Sequence, residues 1–182
     1  DGASDLCVSL EMARMAVADG ISCQACTPHI MPGVYNNTKA SIRDAIETLQ
    51  ARIDEEGIPL QLVIGADIHI DRGLEVKLKA GLVPSLNDTR YVLVEPPHHV
   101  LPPGVDSMFF ALRAAGYVPI LTHPERMAWL EQRYALIPEL VRSGVWMQVT
   151  AGAITGGFGR RAKYWSERLI DEGLVHIVAT DA

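Results

Sequence analysis

Five side chains that can bind a metal ion stand at the ends of short apolar runs in this sequence. They are His29, Asp67, Glu95, His123 and Asp181. Imidazole nitrogens and carboxylate oxygens together suit Mn²⁺, Fe²⁺ or Zn²⁺. With three carboxylates, a multinuclear site is expected, with ions about 3.5–4 Å apart, which generates hydroxide from water and binds phosphoryl oxygens.

A less specific interpretation exists for each of these residues taken alone. A buried histidine is more often satisfied by a hydrogen bond than by a metal, and a carboxylate at a strand end often caps a helix or forms a salt bridge. The five together favour the metal site, because burying three carboxylates without cations is costly.

Arg126 follows His123 by three residues, within the segment Thr-His-Pro-Glu-Arg. We predict that it binds phosphate, since a guanidinium offers paired donors to phosphoryl oxygens. A surface salt bridge is the alternative. Glu125 is expected to orient a neighbour. The glycine-rich segment Gly152–Gly159 lacks the Gly-Lys-Ser/Thr of a P-loop, and a flexible loop is favoured there over an anion-binding turn.

Two other hydrolytic mechanisms lack candidates in the sequence. No Gly-x-Ser-x-Gly nucleophile elbow occurs. A thiol phosphatase needs an arginine six residues after its cysteine, but the residues at those positions are Ala13, His29 and Pro32. The cysteines themselves are predicted to be buried structural thiols in a reducing compartment: Cys7, Cys23 and Cys26.

Apolar runs alternate with amphipathic segments along the chain, which indicates parallel strands joined by right-handed helical crossovers. Successive strand ends at positions 67, 95, 123, 150 and 181 are separated by 28, 28, 27 and 31 residues. Even spacing favours a barrel of βα units over an open sheet, and in a barrel all these ends meet at one face. About six strands are expected, fewer than a closed barrel normally has.

The bulk composition is that of one globular domain covering residues 1–182. A net charge of −6 argues against a nucleic-acid groove. No apolar run approaches the length of a membrane span. We therefore expect a cytoplasmic protein without membrane insertion, and the sequence leaves a homo-oligomer open.

The motifs in chain order resemble those of the PHP (polymerase and histidinol phosphatase) superfamily. The matching segments are Thr27-Pro-His29, Gly65-Ala-Asp67, Tyr91 to Glu95, Thr122 to Arg126 and Ala179-Thr-Asp181. The chain is most similar to the bacterial protein-tyrosine phosphatase branch linked to capsule and exopolysaccharide synthesis. Asp1-Gly2 resembles the end of that branch's Asp-Asp-Gly motif.

The resemblance implies an α/β fold, a distorted (β/α)7 TIM-like barrel of the PHP type. It implies a three-metal site, most commonly Mn²⁺, to which Asp1, His29, Asp67, Glu95, His123 and Asp181 contribute, with Arg126 on the phosphate. It also implies a preceding His-x-His strand and a further ligand histidine, so we expect a barrel incomplete at both ends. Many relatives carry Glu at position 67, which leaves His69 as an alternative ligand on the same strand face.

The implied activity is metal-dependent hydrolysis of phosphotyrosine on a partner bacterial tyrosine kinase that regulates capsule synthesis. Two alternatives stay open. One is a small-molecule phosphoesterase similar to histidinol-phosphate phosphatase. The other is a non-catalytic PHP barrel that binds a partner.

Overall fold

Strands and helices alternate along residues 2–181, the part of the chain that the computed structural model describes. The strands are β1 (Cys23–Cys26), β2 (His29–Ile30), β3 (Gln61–Ile64), β4 (Asp67–His69), β5 (Tyr91–Glu95), β6 (Val118–Thr122), β7 (Trp146–Thr150) and β8 (Ile177–Ala179). The helices are α1 (Leu6–Ala18), α2 (Lys39–Glu55), α3 (Leu74–Lys79), α4 (Val105–Ala114), α5 (Leu136–Arg142), α6 (Ala151–Ile154) and α7 (Gly159–Asp171). Asp1, a predicted metal ligand, lies outside the described residues.

Every pairing between these strands is parallel. Six strands form one sheet in the order β2-β4-β5-β6-β7-β8, and β1 pairs with β3 in a second, two-stranded sheet. The predicted α/β class with parallel strands is therefore confirmed. Because the strands run in the same direction, Glu95 and His123 lie together at the carboxyl ends of β5 and β6, while His29 and Asp67 are the first residues of the neighbouring β2 and β4.

A short break precedes each of the two strands that begin with a candidate ligand, β2 and β4. The run expected from Leu60 to Ile70 is divided into β3 and β4 by Gly65 and Ala66, and Thr27 and Pro28 separate β1 from β2 in the same way. A Cβ atom on Gly65 would lie 2.8 Å from Leu86 Cδ2 and 2.9 Å from Thr27 Cγ2. Glycine is required at this break because the two strand interruptions pack directly against each other.

Helices on the outside of the sheet bury its apolar residues. Helix α2 begins with a capping box, in which the Thr38 hydroxyl accepts from Ser41 N and the Ser41 hydroxyl accepts from Thr38 N. Its buried Ile42 packs in the main core cluster, whereas Ile53 packs in a smaller cluster with α1. Central strands β5 and β6 are buried almost throughout, as parallel strands covered on both faces should be.

Two sequence expectations are wrong. Cys7 and Cys23 are exposed and Cys26 is half-buried, so these free thiols are not core residues. Strand β1 pairs on one side only within the described chain, and this leaves its thiols accessible.

The glycine-rich segment is also not a plain loop, because it contains α6, a tight turn and the start of α7. Within residues 2–181 no helix has the length and apolar content needed to cross a bilayer.

Candidate metal centre

The ends of four neighbouring strands supply the side chains of one polar cluster. His29 begins β2, Asp67 begins β4, Glu95 ends β5 and His123 follows β6 directly. The cluster lies in a cavity of about 910 Å³, which also takes in Arg126 and Asp181. The structure thus brings together four of the predicted ligands from positions 94 residues apart in the chain.

The first donor group consists of His29, Asp67 and Glu95. His29 Nδ1 lies 3.5 Å from Glu95 Oε2 and 4.0 Å from Asp67 Oδ2. Both carboxylates are buried, while His29 is partly open to the cavity. The Thr122 hydroxyl donates to the other oxygen of Asp67, Oδ1, at 3.2 Å, and this bond fixes the orientation of the carboxylate.

The second donor group consists of Glu95, His98 and His123. His98 Nε2 lies 2.9 Å from Glu95 Oε1, and His123 Nε2 lies 3.4 Å from that same oxygen. Glu95 therefore belongs to both groups, with one oxygen directed to each. A carboxylate shared in this way is the arrangement that can bridge two ions.

The spacing and chemistry of the donors fit divalent transition-metal ions. Two atoms bound to one ion at about 2.1 Å lie about 3.0–3.4 Å apart in octahedral or tetrahedral geometry. His123 Nε2 is 3.4 Å from Asp67 Oδ2 as well as from Glu95 Oε1. Mixed nitrogen and oxygen donors are those that Mn²⁺, Fe²⁺ and Zn²⁺ accept.

The electrostatics of the cluster favour positive charge between the carboxylates. Burial opposes ionisation of Glu95, but the hydrogen bond from His98 and the charges of His123 and His29 outweigh it and hold the pKa of Glu95 below its usual value. Burial likewise opposes protonation of His123, yet its contact with Asp67 raises the pKa of His123. A cavity that stabilises a proton on the imidazole offers the same field to a cation.

His123 reaches the cluster through an unusual backbone conformation. Its φ is 34°, in the left-handed region that non-glycine residues seldom adopt. Pro124 follows and disfavours the right-handed helical region, and a 3₁₀ turn over Pro124–Arg126 begins at once. Such a conformation costs about 1–3 kcal/mol and is usually retained where a side chain has to be aimed.

Glu125 is fully buried and belongs to neither donor group of the described residues. Its Oε1 accepts a hydrogen bond from Thr150 N at 2.8 Å, which ties the turn after β6 to the end of β7. Burial raises the pKa of Glu125, and the bond from Thr150 only partly offsets this. The prediction that Glu125 orients a neighbour matches this contact.

Arg126 and Asp181 form an ion pair at the mouth of the cavity. Asp181 therefore lies beside the cluster without belonging to either donor group among residues 2–181. The Arg126 guanidinium also stacks on the ring of Phe158, with Cζ 4.5 Å from the ring centroid. Arg161 from α7 supports the segment after Arg126, because its Nη2 donates to Met127 O at 2.9 Å.

Other predicted candidates are placed less centrally. His69 lies two residues after Asp67 on the same strand and, unlike Asp67, belongs to neither donor group of the described chain. Sequence reasoning placed His98 and His99 beside Glu95 without assigning either to metal, whereas the structure puts His98 in the second donor group. The signal available was the Pro96-Pro97 pair after Glu95, which turns the chain back at the strand end.

One family of proteins matches this chain over residues 1–182; it is described as capsular polysaccharide synthesis, CpsB/CapC. The chain belongs to this family. Within the CpsB/CapC family, the tyrosine-protein phosphatase YwqE of Bacillus subtilis (strain 168) is 40% identical over 182 residues, which cover 100% of this chain and 72% of YwqE. CapC of Staphylococcus aureus is 29% identical over 182 residues, covering 100% of this chain and 71% of CapC.

The fold has a close counterpart among solved structures of the CpsB/CapC family. A crystal structure from the pair YwqE of Bacillus subtilis and CpsB of Streptococcus pneumoniae, described as unique metal-dependent tyrosine phosphatases, matches with a TM-score of 0.95. The match has 40% sequence identity and covers 100% of this chain and 73% of that structure. The parallel α/β architecture is therefore that of this CpsB/CapC relative.

Proposed function

We propose that this chain hydrolyses phosphomonoesters with the help of divalent metal ions, and that its substrate is phosphotyrosine in a protein. The observation that carries the proposal is the shared carboxylate of Glu95, which joins two donor groups beside Arg126. Divalent cations held by these two groups, next to a guanidinium, would suit a phosphate dianion. Family membership and the printed activity of YwqE support the same reaction.

Each residue of the site has a distinct task in this proposal. His29, Asp67, Glu95, His98 and His123 would hold the ions, and Asp181 would contribute once it is released from Arg126. Divalent ions held there would lower the pKa of a water molecule and offset the charge on phosphoryl oxygens. Arg126 donates N–H bonds to the phosphoryl group and orients it for attack, since its planar guanidinium can bind two oxygens at once.

The finer identities belong to the proposal as well. Mn²⁺ is the preferred ion, in a three-metal site to which Asp1 also contributes, and Fe²⁺ or Zn²⁺ would suit the same donors. The protein substrate is the phosphorylated tyrosine-rich tail of a bacterial tyrosine kinase in capsule synthesis. Residues 1–182 act as a single domain of the (β/α)7 PHP barrel type, which the uniformly parallel strands support.

Phosphate release from two classes of substrate tests the proposal. The protein with Mn²⁺ is assayed on a tyrosine-phosphorylated peptide and on small phosphomonoesters, including histidinol phosphate. We expect higher kcat/KM on the peptide, and we expect Glu95→Gln to abolish turnover because it weakens both donor groups. Higher kcat/KM on the small esters would contradict the phosphotyrosine assignment and favour a small-molecule phosphoesterase. Metal binding without hydrolysis of any ester would favour a non-catalytic barrel that binds a partner.

A further inference from the structure

We propose that Phe158 is a positioning residue that holds the Arg126 guanidinium in place for phosphate. This inference rests on the proposed function, because it assigns a part to a residue at the same cavity. The Cζ atom of Arg126 lies over the ring of Phe158, 4.5 Å from the ring centroid. That distance is within the range of a cation–π contact.

The exposure of Phe158 calls for an explanation. About 47% of the residue is accessible, although it borders the cavity that contains Glu95 and His123. An exposed phenylalanine gains little from burial. Its contact with Arg126 accounts for an aromatic side chain at this position, which burial in the core does not.

Arg126 has two partners of different kinds, and the ion-pair partner is also a proposed metal ligand. Asp181 pairs with Nη1 of the guanidinium, whereas Phe158 contacts it through its ring, which lies under Cζ. The ring contact does not use the N–H donors of Arg126. A phosphoryl group that replaced Asp181 as the partner of Nη1 would therefore meet a guanidinium still held by the ring.

The glycine-rich segment before α7 is shaped to seat this ring. A Cβ atom on Gly152 would lie 3.0 Å from Cε2 of Phe158, so any larger residue there would push the ring. Gly157 N donates to Gly152 O at 2.7 Å and closes the turn, and a Cβ on Gly157 would lie 3.1 Å from that oxygen. The glycines thus allow the close turn that brings Phe158 to Arg126.

Substitutions at Phe158 separate the aromatic face from simple bulk. Phe158→Ala and Phe158→Leu should raise KM for a phosphotyrosine peptide and Kd for inorganic phosphate by about 2- to 30-fold, the range of a cation–π contact. The value of kcat should change by less than about twofold, because the contact acts on ground state and transition state alike. Phe158→Tyr should restore both constants. Retention of affinity by Phe158→Leu would overturn the cation–π role.

A double-mutant cycle with Arg126 decides whether Phe158 acts through the guanidinium. In an Arg126→Ala background, Phe158→Ala should have no further effect on Kd or KM. An undiminished effect there would show that Phe158 touches the substrate itself, and the positioning role would be wrong. Phe110→Ala is the matched control, since Phe110 is 73% exposed on α4 beside a different groove and should leave both constants unchanged.

Calorimetric titration of the metal-loaded protein with inorganic phosphate gives the Kd without any turnover. Phosphate binding that weakens as predicted, in a protein that hydrolyses no ester, would leave the positioning role intact and overturn only the proposed function. Absence of phosphate binding by the unaltered protein would overturn both.

Discussion

At the scale of single residues, Glu95 has the most consequential position in the molecule. Its two oxygens face different imidazoles, with His29 at 3.5 Å from Oε2 and His98 at 2.9 Å from Oε1. It is buried at the end of a central strand, where its charge has little access to water. A buried carboxylate so surrounded is stable only with positive charge close by, whether from protons or from metal ions.

His123→Ala should remove bound metal and lower turnover by orders of magnitude, because its Nε2 faces both Asp67 and Glu95 at 3.4 Å. The measurement is metal content per chain by elemental analysis, together with kcat on a phosphotyrosine peptide. His176→Ala is the control, since His176 stacks on Trp146 in strand β7 and lies outside the donor groups of the described chain. Full metal content in the His123 variant would refute its role as a ligand.

Arg126→Ala should lower kcat/KM by about 2–4 kcal/mol of transition-state stabilisation while leaving the metal content unchanged. The reason is that Arg126 lines the cavity, and its guanidinium offers N–H donors to phosphate but no acceptor atom to a metal ion. Steady-state kinetics on the peptide and elemental analysis measure the two effects separately. Unchanged kinetics would exclude the phosphate role, and loss of metal would mean that Arg126 instead supports the ligand geometry.

Sequence reasoning predicted side chains from distant parts of the chain that lie together in the structure. His29, Asp67, Glu95 and His123 were found because strand ends meet at one edge of a parallel sheet. The predicted ligand Asp181 was found lying beside the cluster, paired with Arg126. His98 was not assigned to metal, because the Pro96-Pro97 pair indicates a turn after Glu95 but does not determine where the following imidazole points.

At the scale of elements, the interruptions before β2 and β4 decide where ligands lie. Periodicity predicted one continuous strand from Leu60 to Ile70, because an apolar pattern indicates which faces are buried and does not show where backbone pairing is interrupted. The close approach of Gly65 to Leu86 and Thr27 became visible only in three dimensions. The accessibility of the two cysteines in β1 was not predicted for a similar reason. It follows from the position of β1 at the edge of its sheet, and the apolar pattern of a strand does not show the order of strands in a sheet.

Gly65→Ala should lower the free energy of unfolding by about 1–3 kcal/mol, the usual cost of adding a methyl group to a packed site. It should also weaken metal binding, because the displaced backbone leads within two residues to Asp67. Urea denaturation and a metal titration measure these effects. Combining it with Leu86→Ala removes the nearest atom, at 2.8 Å, and should recover part of the loss; no recovery would mean that the clash is not the cause.

Tyr134, just before α5, forms a hydrogen bond to Glu172 at the end of α7, and its protonation state is expected to affect the free energy of unfolding. Tyr134 donates to Glu172 at 2.7 Å, and Arg168 stacks on the Tyr134 ring. Burial, followed by the bond to and charge of Glu172, raises the pKa of Tyr134 from 10.0 to about 12. A pKa raised by folding means that the folded state holds the proton more tightly than the unfolded state does.

The contribution of the Tyr134 hydroxyl should therefore be fully present below pH 10 and lost as the pH rises through about 12. Tyr134→Phe should be less stable than the unaltered protein at pH 8, and the difference should shrink between pH 10 and 12. Urea unfolding of both proteins across this range measures it. A difference that is constant with pH would show that the hydroxyl does not titrate in this window.

At the scale of the whole molecule, an acidic protein has to bind a dianionic group. The net charge is −6, and the cavity itself contains Asp67, Glu95 and Asp181. One arginine at the mouth cannot reverse that field alone, whereas two or three divalent cations can. The overall charge and the local donor set therefore lead to the same requirement, that phosphate binding depends on metal.

The most direct test is phosphate release from a tyrosine-phosphorylated peptide before and after removal of metal. The protein is assayed as purified, after treatment with a chelator, and after Mn²⁺ is restored in excess of the chelator. We predict that the chelator abolishes release and that Mn²⁺ recovers it, with recovery absent in the Glu95→Gln variant. Hydrolysis that continues in the chelated protein, with no metal detected by elemental analysis, would contradict the account.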